Sequence, residues 1–292
     1  MSSPSQPAAG TDPPLVSVVV PTHDRPTYLR RAVESVVEQT YDEMELVIVD
    51  DNPTTAAREA VREVPLQNLT AVEFVRGREH ENVAAARNTG VEVAAGEYVA
   101  FLDDDDRWYE EKLATQIAAF ERTGDDVGLV YSGAELVYDG DDRAISIPPA
   151  VEGDMTKALL RHNVVGSMSA VVARRNVAVA TPFDERFPSW EDLVWYVDLS
   201  RRCAFERVPE PHVEYEHSSP GRLSEDLERE RRSRDLFVQK YESLAREYGP
   251  VFAREVRAWA TFRAGTVAFH GGEYGTARRR FLRAVSLYPF ER

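Results

Sequence analysis

The sequence predicts an α/β fold: a mostly parallel sheet flanked by helices, followed by a helical C-terminal extension. Three observations carry this expectation. Short β-branched runs alternate with helix-period segments over the first 125 residues, the pattern of βαβ units. The polar residues of that stretch cluster at the C-terminal ends of its strands, where such sheets bind ligands. Beyond about residue 217 no strand signal remains, and the chain turns helical and highly charged.

"LVSVVVP" (15–21) is a buried strand by length and β-branching, ended by proline. Pro26 opens a helix in which Tyr28, Leu29, Ala32, Val33, Val36 and Val37 share a face. "MELVIVDD" (44–51) is a second strand ending in two carboxylates. "LTAVEFVR" (69–76) reads as a third strand, "VAAARNTGVEVA" (83–94) as a helix and "EYVAFLDD" (97–104) as a fourth strand. Past residue 125, 127–140 reads as strands, 155–162 as a short helix, 166–174 as a strand and 190–203 as a helix. The Ser/Pro/Gly cluster "SSPGRLS" marks a boundary near 220. The expected organisation is a loose tail over 1–14, a main domain over 15–220 and a helical extension over 221–292. In the extension Gly265, Ala277, Phe281, Ala284 and Pro289 have the spacing of one tetratricopeptide-like unit. A single unit cannot bury its own face, so it is expected to pack on the preceding helices or on a partner.

Composition narrows the function. Fifty acidic residues against 35 basic give a net charge of −15, a poor basis for electrostatic capture of nucleic acid. Lys112, Lys157 and Lys240 are the only lysines; acid-rich, lysine-poor chains resemble salt-adapted proteins. The single cysteine, Cys203, forbids an intrachain disulfide and fits a cytoplasmic setting. No apolar window is long enough for a transmembrane helix, and the N-terminus lacks the features of a secretory signal.

The acid run "AFLDDDDRWY" (100–109) follows a buried strand directly. Side chains two apart on an extended strand share a face, so Asp103 and Asp105 can converge on one hard cation, Mg²⁺ or Mn²⁺. So few carboxylates leave the rest of the shell to water and a ligand's phosphates. In "VDDNPTT" (49–55), Asp50 or Asp51 can accept hydrogen bonds from an imide N–H or ribose, or cap the next helix. "PTHDRP" (21–26) exposes His23 and Arg25 to the same sheet edge. Glu191 and Asp192 of "WED" stand in a first helical turn, where the helix dipole favours acids.

Taken in order, "VSVVVPTHDRPTYLRRAVESVVEQTYDEMELVIVDDNPTT", "ARNTGVEVAAGEYVAFLDDDD" and "SWEDLVWYVDLSRR" resemble the family 2 glycosyltransferases with the GT-A, Rossmann-like fold, over roughly residues 15–217. The resemblance implies an inverting transfer from a nucleotide-diphosphate sugar to an acceptor hydroxyl. It implies that Pro21, Thr22 and Asp51 contact the base, that Asp104 touches ribose and that Asp105 binds the metal. Asp103 opens the Asp-x-Asp motif and Asp106 is a variable flank of little consequence. His23, Arg25 and Arg87 belong to the nucleotide-sugar site. Asp192 is the general base, with Glu191 orienting it or holding acceptor, and His217 of "YEHSSPGRLS" is a further metal ligand. The family commonly carries Asn-x-Gly ahead of its "ARN"; here His80 and Asn82 take those places.

The acceptor expected is a glycan or a lipid-linked sugar, within surface-glycan or glycoprotein-glycan assembly at the inner membrane face. "RERRSR" (229–234) and "RRRFLR" (278–283) are the candidates for peripheral membrane contact, and the C-terminal helices for a protein partner. The alternative is a non-catalytic nucleotide-sugar-binding or scaffolding protein; the intact Asp104, Asp105 and Asp192 argue against it. A haloacid-dehalogenase phosphatase would need Asp-x-Asp-x-Thr/Val at the first strand, and a nucleotidyltransferase a Gly-rich, Arg-containing loop there. "VVVPTHD" supplies neither.

Overall fold

The computed structural model describes residues 13–50, 56–77, 82–138, 142–151, 153–217 and 226–290. Strand β1 (Val16–Thr22) leads through helix α1 (Pro26–Val37) to β2 (Met44–Asp50). A short helix α2 (Ala56–Ala60) precedes β3 (Ala71–Arg76), and α3 (Val83–Val93) precedes β4 (Tyr98–Phe101). Next come β5 (Arg107–Trp108), α4 (Lys112–Arg122), β6 (Val127–Val137), β7 (Arg143–Ser146) and α5 (Met155–Leu159). Then follow β8 (Val171–Arg174), α6 (Arg175–Ala180), α7 (Glu191–Ser200) and β9 (Ala204–Glu216). Three helices close the chain: α8 (Leu227–Glu247), α9 (Pro250–His270) and α10 (Tyr274–Leu287).

The sheet runs β3-β2-β1-β4-β8-β6-β9-β5, with β7 on β6. β1 is paired in parallel on both sides, by β2 and β4, which is why it reads as an unbroken apolar run. The expectation of a mostly parallel sheet holds for β1 to β4 and fails beyond them. β8 is antiparallel to both β4 and β6, β5 is antiparallel to β9, and only β9 on β6 is parallel again. The physical reason lies in the connections. Between β6 and β8 the chain passes through the hairpin strand β7 and the short helix α5, and antiparallel neighbours need no crossover helix. The sheet is mixed.

Alternation along the strands builds two cores. Val19, Val47 and Phe101 point to the face covered by α3 and α7, while Val18, Val20, Leu46 and Ile48 point to the face covered by α1 and α4. One polar knot crosses the buried sheet. Ser17 Oγ donates to Glu45 Oε1 at 2.6 Å, and the backbone N–H of Ala95 donates to the same oxygen at 2.6 Å. Gly96 N–H donates to Ser17 Oγ at 2.8 Å. A Cβ at Gly96 would lie 2.6 Å from the Leu15 carbonyl oxygen, so only glycine brings the chain this close before β4.

The C-terminal helices share the first core. Phe237 and Tyr241 of α8 and Val256 and Trp259 of α9 belong to the same buried cluster as Leu193, Trp195 and Val197 of α7. α10 packs on α9, and a Cβ at Gly265 would lie 2.7 Å from the Phe281 ring. The expected boundary near 220 lies outside the described residues. No helix among the described residues is long and apolar enough to cross a membrane.

α4 places one charge where none is welcome. Lys112 is fully buried; its Nζ donates to Gln116 Oε1 at 2.7 Å and sits 4.1 Å from the Trp108 ring centroid. Burial pushes its pKa well below the usual lysine value. Between that lowered folded value and the unfolded one of about 10.4 the unfolded chain binds the extra proton, so the contribution of this group to folding stability rises with pH. Urea unfolding of Lys112→Met, compared with wild type as pH rises from about 8 to 10, is expected to lose up to ~1.4 kcal/mol of that rise per pH unit.

Candidate functional site

A cavity of about 950 Å³ opens where the C-terminal ends of β1 and β4 meet the N-terminal ends of α3 and α7. Pro21, Thr22, His23, Arg25, Arg87, Asp103, Asp104, Asp105, Glu191 and Asp192 all line it. Asp51 lies outside the described residues. His217 is not on the cavity wall: it is exposed, with its ring 4.7 Å from that of Tyr138.

Each aspartate of the acid run meets a different part of the chain. Asp103 accepts from Arg87 Nη2 at 2.6 Å, and its backbone N–H donates to Ser169 Oγ. Asp104 accepts from Thr22 Oγ1 at 2.7 Å. Arg25 Nη1 lies 3.4 Å from Asp104 and donates to Asp105 at 3.0 Å. The β1–α1 turn explains that reach. Asp24 takes a left-handed φ of 51°, Pro26 starts the helix, and Arg25 at the N-cap makes no side-chain capping bond that would hold it back.

Asp106 corrects the expectation of a flank of little consequence. It is 1% exposed and accepts from Ser169 Oγ at 2.5 Å and from the Glu216 backbone N–H at 3.1 Å. It thereby ties the acid run to the approach of β8 and the end of β9. Burial, with the charges of Asp103 and Asp105, pushes its pKa well above the usual carboxylate value. It holds the site together from behind the wall.

Arg87 joins the two acidic groups. It is 3% exposed, with Nη2 on Asp103 at 2.6 Å and Nη1 on Glu191 at 2.9 Å. Burial works against its charge, but the two carboxylates outweigh that and raise its pKa. Burial raises the pKa of Asp103, with Asp105 adding to it and Arg87 opposing. Asp104 is pushed up to about 6, chiefly by burial. Glu191 and Asp192 are also raised by burial. Asp192 accepts from Asn163 Nδ2 at 3.2 Å and from the Leu193 N–H at 2.6 Å, and part of it faces the cavity.

The C-terminal helices supply a wall that sequence reasoning missed. Trp190, just before the acidic pair, has a left-handed φ of 65°. Its Nε1 donates to the buried Glu230 Oε2 at 2.7 Å, and the Arg263 guanidinium sits 4.8 Å from its ring. Ser233 of α8 grips Ser189 through two hydrogen bonds. Glu230 was legible in principle: it falls in register with Ser233, Phe237 and Tyr241 on the buried stripe of α8.

Among the described residues no cluster of three or more His, Cys, Asp or Glu is arranged to hold a metal ion. Asp105, with a hard oxygen and a place on the cavity wall, instead suits a cation whose other ligands come from phosphates and water. The residues fit a shared ion and do not form a closed metal site.

Residues 17–173 match the family model described as Glycosyl transferase family 2. The Bacillus subtilis protein TuaG, named for teichuronic acid biosynthesis, is 31% identical over 168 residues, covering 55% of this chain and 63% of its own. The Escherichia coli UDP-Glc:alpha-D-GlcNAc-diphosphoundecaprenol beta-1,3-glucosyltransferase WfgD is 27% identical over 187 residues, 63% of this chain and 69% of its own. The chain spans about three fifths of the length of the first curated relatives it matches. The mannosyltransferase PcManGT of Pyrobaculum calidifontis, solved with GDP-Man and Mn²⁺, superposes with a TM-score of 0.59 at 20% identity. That superposition covers 96% of this chain and 82% of the other, a likeness of fold.

Removing Arg87 leaves the buried Glu191 carboxylate, and the partly exposed Asp103, without their shared cation. Arg87→Met is expected to lower unfolding free energy by about 3–5 kcal/mol in urea titration at neutral pH. Asp104 yields a pH test. Its folded pKa of about 6 lies above the unfolded value of about 3.9, so between them the folded state holds more protons. The contribution of Asp104 to the stability of the ligand-free protein therefore rises as pH falls from about 7 to 5, and Asp104→Asn is expected to remove it, seen as a difference from wild type in urea unfolding over that range.

Proposed function

The chain belongs to glycosyl transferase family 2, and from that premise we propose that it moves a sugar, with inversion, from a nucleotide-diphosphate donor to an acceptor hydroxyl. The observation that supports this is one cavity in which Arg87 joins the acid run to the Glu191–Asp192 pair. Donor chemistry and acceptor chemistry thus have adjoining places.

In this reading Pro21 and Thr22, with Asp51, border the base. Asp104, already accepting from the Thr22 hydroxyl, takes a ribose hydroxyl, and Arg25 and Arg87 give the donor side its positive charge, with His23 on the same cavity wall. Asp105, supported by Asp103, would hold a Mg²⁺ or Mn²⁺ ion, whose positive charge would offset the charge that builds on the leaving diphosphate. His217 stays the further ligand of this reading, next to Glu216, whose N–H meets Asp106 of the acid run. Asp192 accepts the acceptor's proton as its oxygen attacks the anomeric carbon and the bond to the diphosphate breaks. Its raised pKa brings the base closer to working pH. Glu191 holds Arg87 and, with Trp190, sets the direction of Asp192.

Residues 15–220 form the transferase domain in this proposal and 221–292 the helical extension, whose last two helices keep a tetratricopeptide-like spacing. The acceptor is a glycan or a lipid-linked sugar. WfgD, named for a diphosphoundecaprenol substrate, and TuaG, named for teichuronic acid, point to assembly of a surface polymer.

Transfer assays over a panel of nucleotide sugars with Mn²⁺, paired with calorimetry of nucleoside diphosphate binding, test the roles. Asp192→Asn is expected to lose about 10²-fold or more of transfer while binding the nucleoside diphosphate as wild type does. Asp105→Ala is expected to lose both transfer and the Mn²⁺ dependence of binding. Near-normal turnover in Asp192→Asn would remove that residue as the base.

A further inference from the structure

We propose that the outer face of the α9–α10 hairpin docks on an anionic lipid surface. α10 buries Ala277 and Ala284 against α9, packs Phe281 on Gly265, and presents Tyr274, Leu282 and Val285 outward. Tyr274 is 65% exposed, Leu282 61% and Val285 59%, and helical spacing gathers all three within an arc of roughly 100°. On α9, Phe262 is 52% exposed and lies against Phe281, ring centroids 5.1 Å apart, which widens the stripe. Single exposed apolar side chains are ordinary, but a contiguous stripe of this kind marks a contact surface.

The charge beside the stripe selects the partner. Arg278, Arg279 and Arg283 are exposed on α10, and no carboxylate among the described residues pairs with them. Residues 256–290 contain six arginines and a single acid, Glu273, within a chain whose net charge is −15. An apolar stripe alone would suit many partners. A stripe bordered by arginines without acids suits a surface of repeated phosphate charge over an apolar interior. Leu282 and Val285 reach the acyl boundary while the arginines meet the headgroups. α9 joins this face to the chemistry: Phe262 points outward, and its neighbour Arg263 lines the cavity. Docking therefore sets the cavity's C-terminal wall beside the lipid surface.

Flotation of the full chain with vesicles of phosphatidylcholine alone, or mixed in equal parts with phosphatidylglycerol, tests this. Binding is expected to the mixed vesicles only, and to fall as salt rises. Each basic residue near an anionic leaflet is worth about fivefold in partition, so Arg278→Gln, Arg279→Gln and Arg283→Gln together should weaken binding on the order of 100-fold. Leu282→Ser with Val285→Ser should also weaken it without a change of charge. Both variants should keep wild-type thermal unfolding and nucleoside diphosphate binding, which separates this contact from the transferase site. Equal binding to both vesicle types, no binding to either, or variants that bind as wild type does would overturn the proposal. So would light scattering that shows the serine variant splitting a dimer, which would assign the face to a second copy of this chain.

Discussion

Four consecutive carboxylates cannot share one environment, because like charges a few ångströms apart in a half-dry pocket repel strongly. The fold separates them by giving each its own partner from its own segment. Asp103 has Arg87 of α3, Asp104 has Thr22 at the end of β1, Asp105 has Arg25 ahead of α1, and Asp106 has Ser169 and the end of β9. The run is thus the point where most of the site-bearing segments meet. Arg87 extends the same logic to Glu191, so the two acidic groups are spaced by one shared cation. Losing Arg87 or Arg25 disturbs more than one carboxylate.

The two acids at the start of α7 depend on helices far along the chain. A tryptophan in left-handed conformation costs about 1–3 kcal/mol and persists only where its surroundings determine it. Here Glu230 holds the Trp190 indole N–H, Arg263 covers its ring, and Ser233 anchors the residue before it. The helix dipole at the start of α7 then favours the two acids that follow. The C-terminal helices act on the site through this contact, and their shared core with α7 makes the contact stiff.

Much of this was legible in residue patterns. The first four strands and the helices between them follow from β-branched runs and helical spacing, and the site residues lie at the strand ends where parallel sheets place ligands. What escaped has identifiable causes. β9 contains Pro209 and Pro211, which argue against a strand; the sheet accepts them at irregularities opposite Ser132 and Gly133, where the close approach of Pro209 O leaves room for glycine alone. Arg25 could be set on the same sheet edge as the acid run, but Ser169 could not be read as its partner, because it reaches the run only through tertiary contact. Asp106 reads as the most dispensable of the four, yet its burial makes it the most constrained. Glu230 was hidden by the charged residues on either side of it.

Arg25 leans across Asp104 and Asp105 as an internal counter-ion. A bare divalent cation arriving at Asp105 must compete with that guanidinium and gives it nothing in return. A diphosphate arriving alone draws Arg25 away from two carboxylates and leaves their charge to be met. In the function proposed above, a phosphate at Arg25 and a cation at Asp105 arriving together would leave every charge with a partner. The salt bridge that spans the two aspartates would then yield more readily to the pair than to either ion by itself.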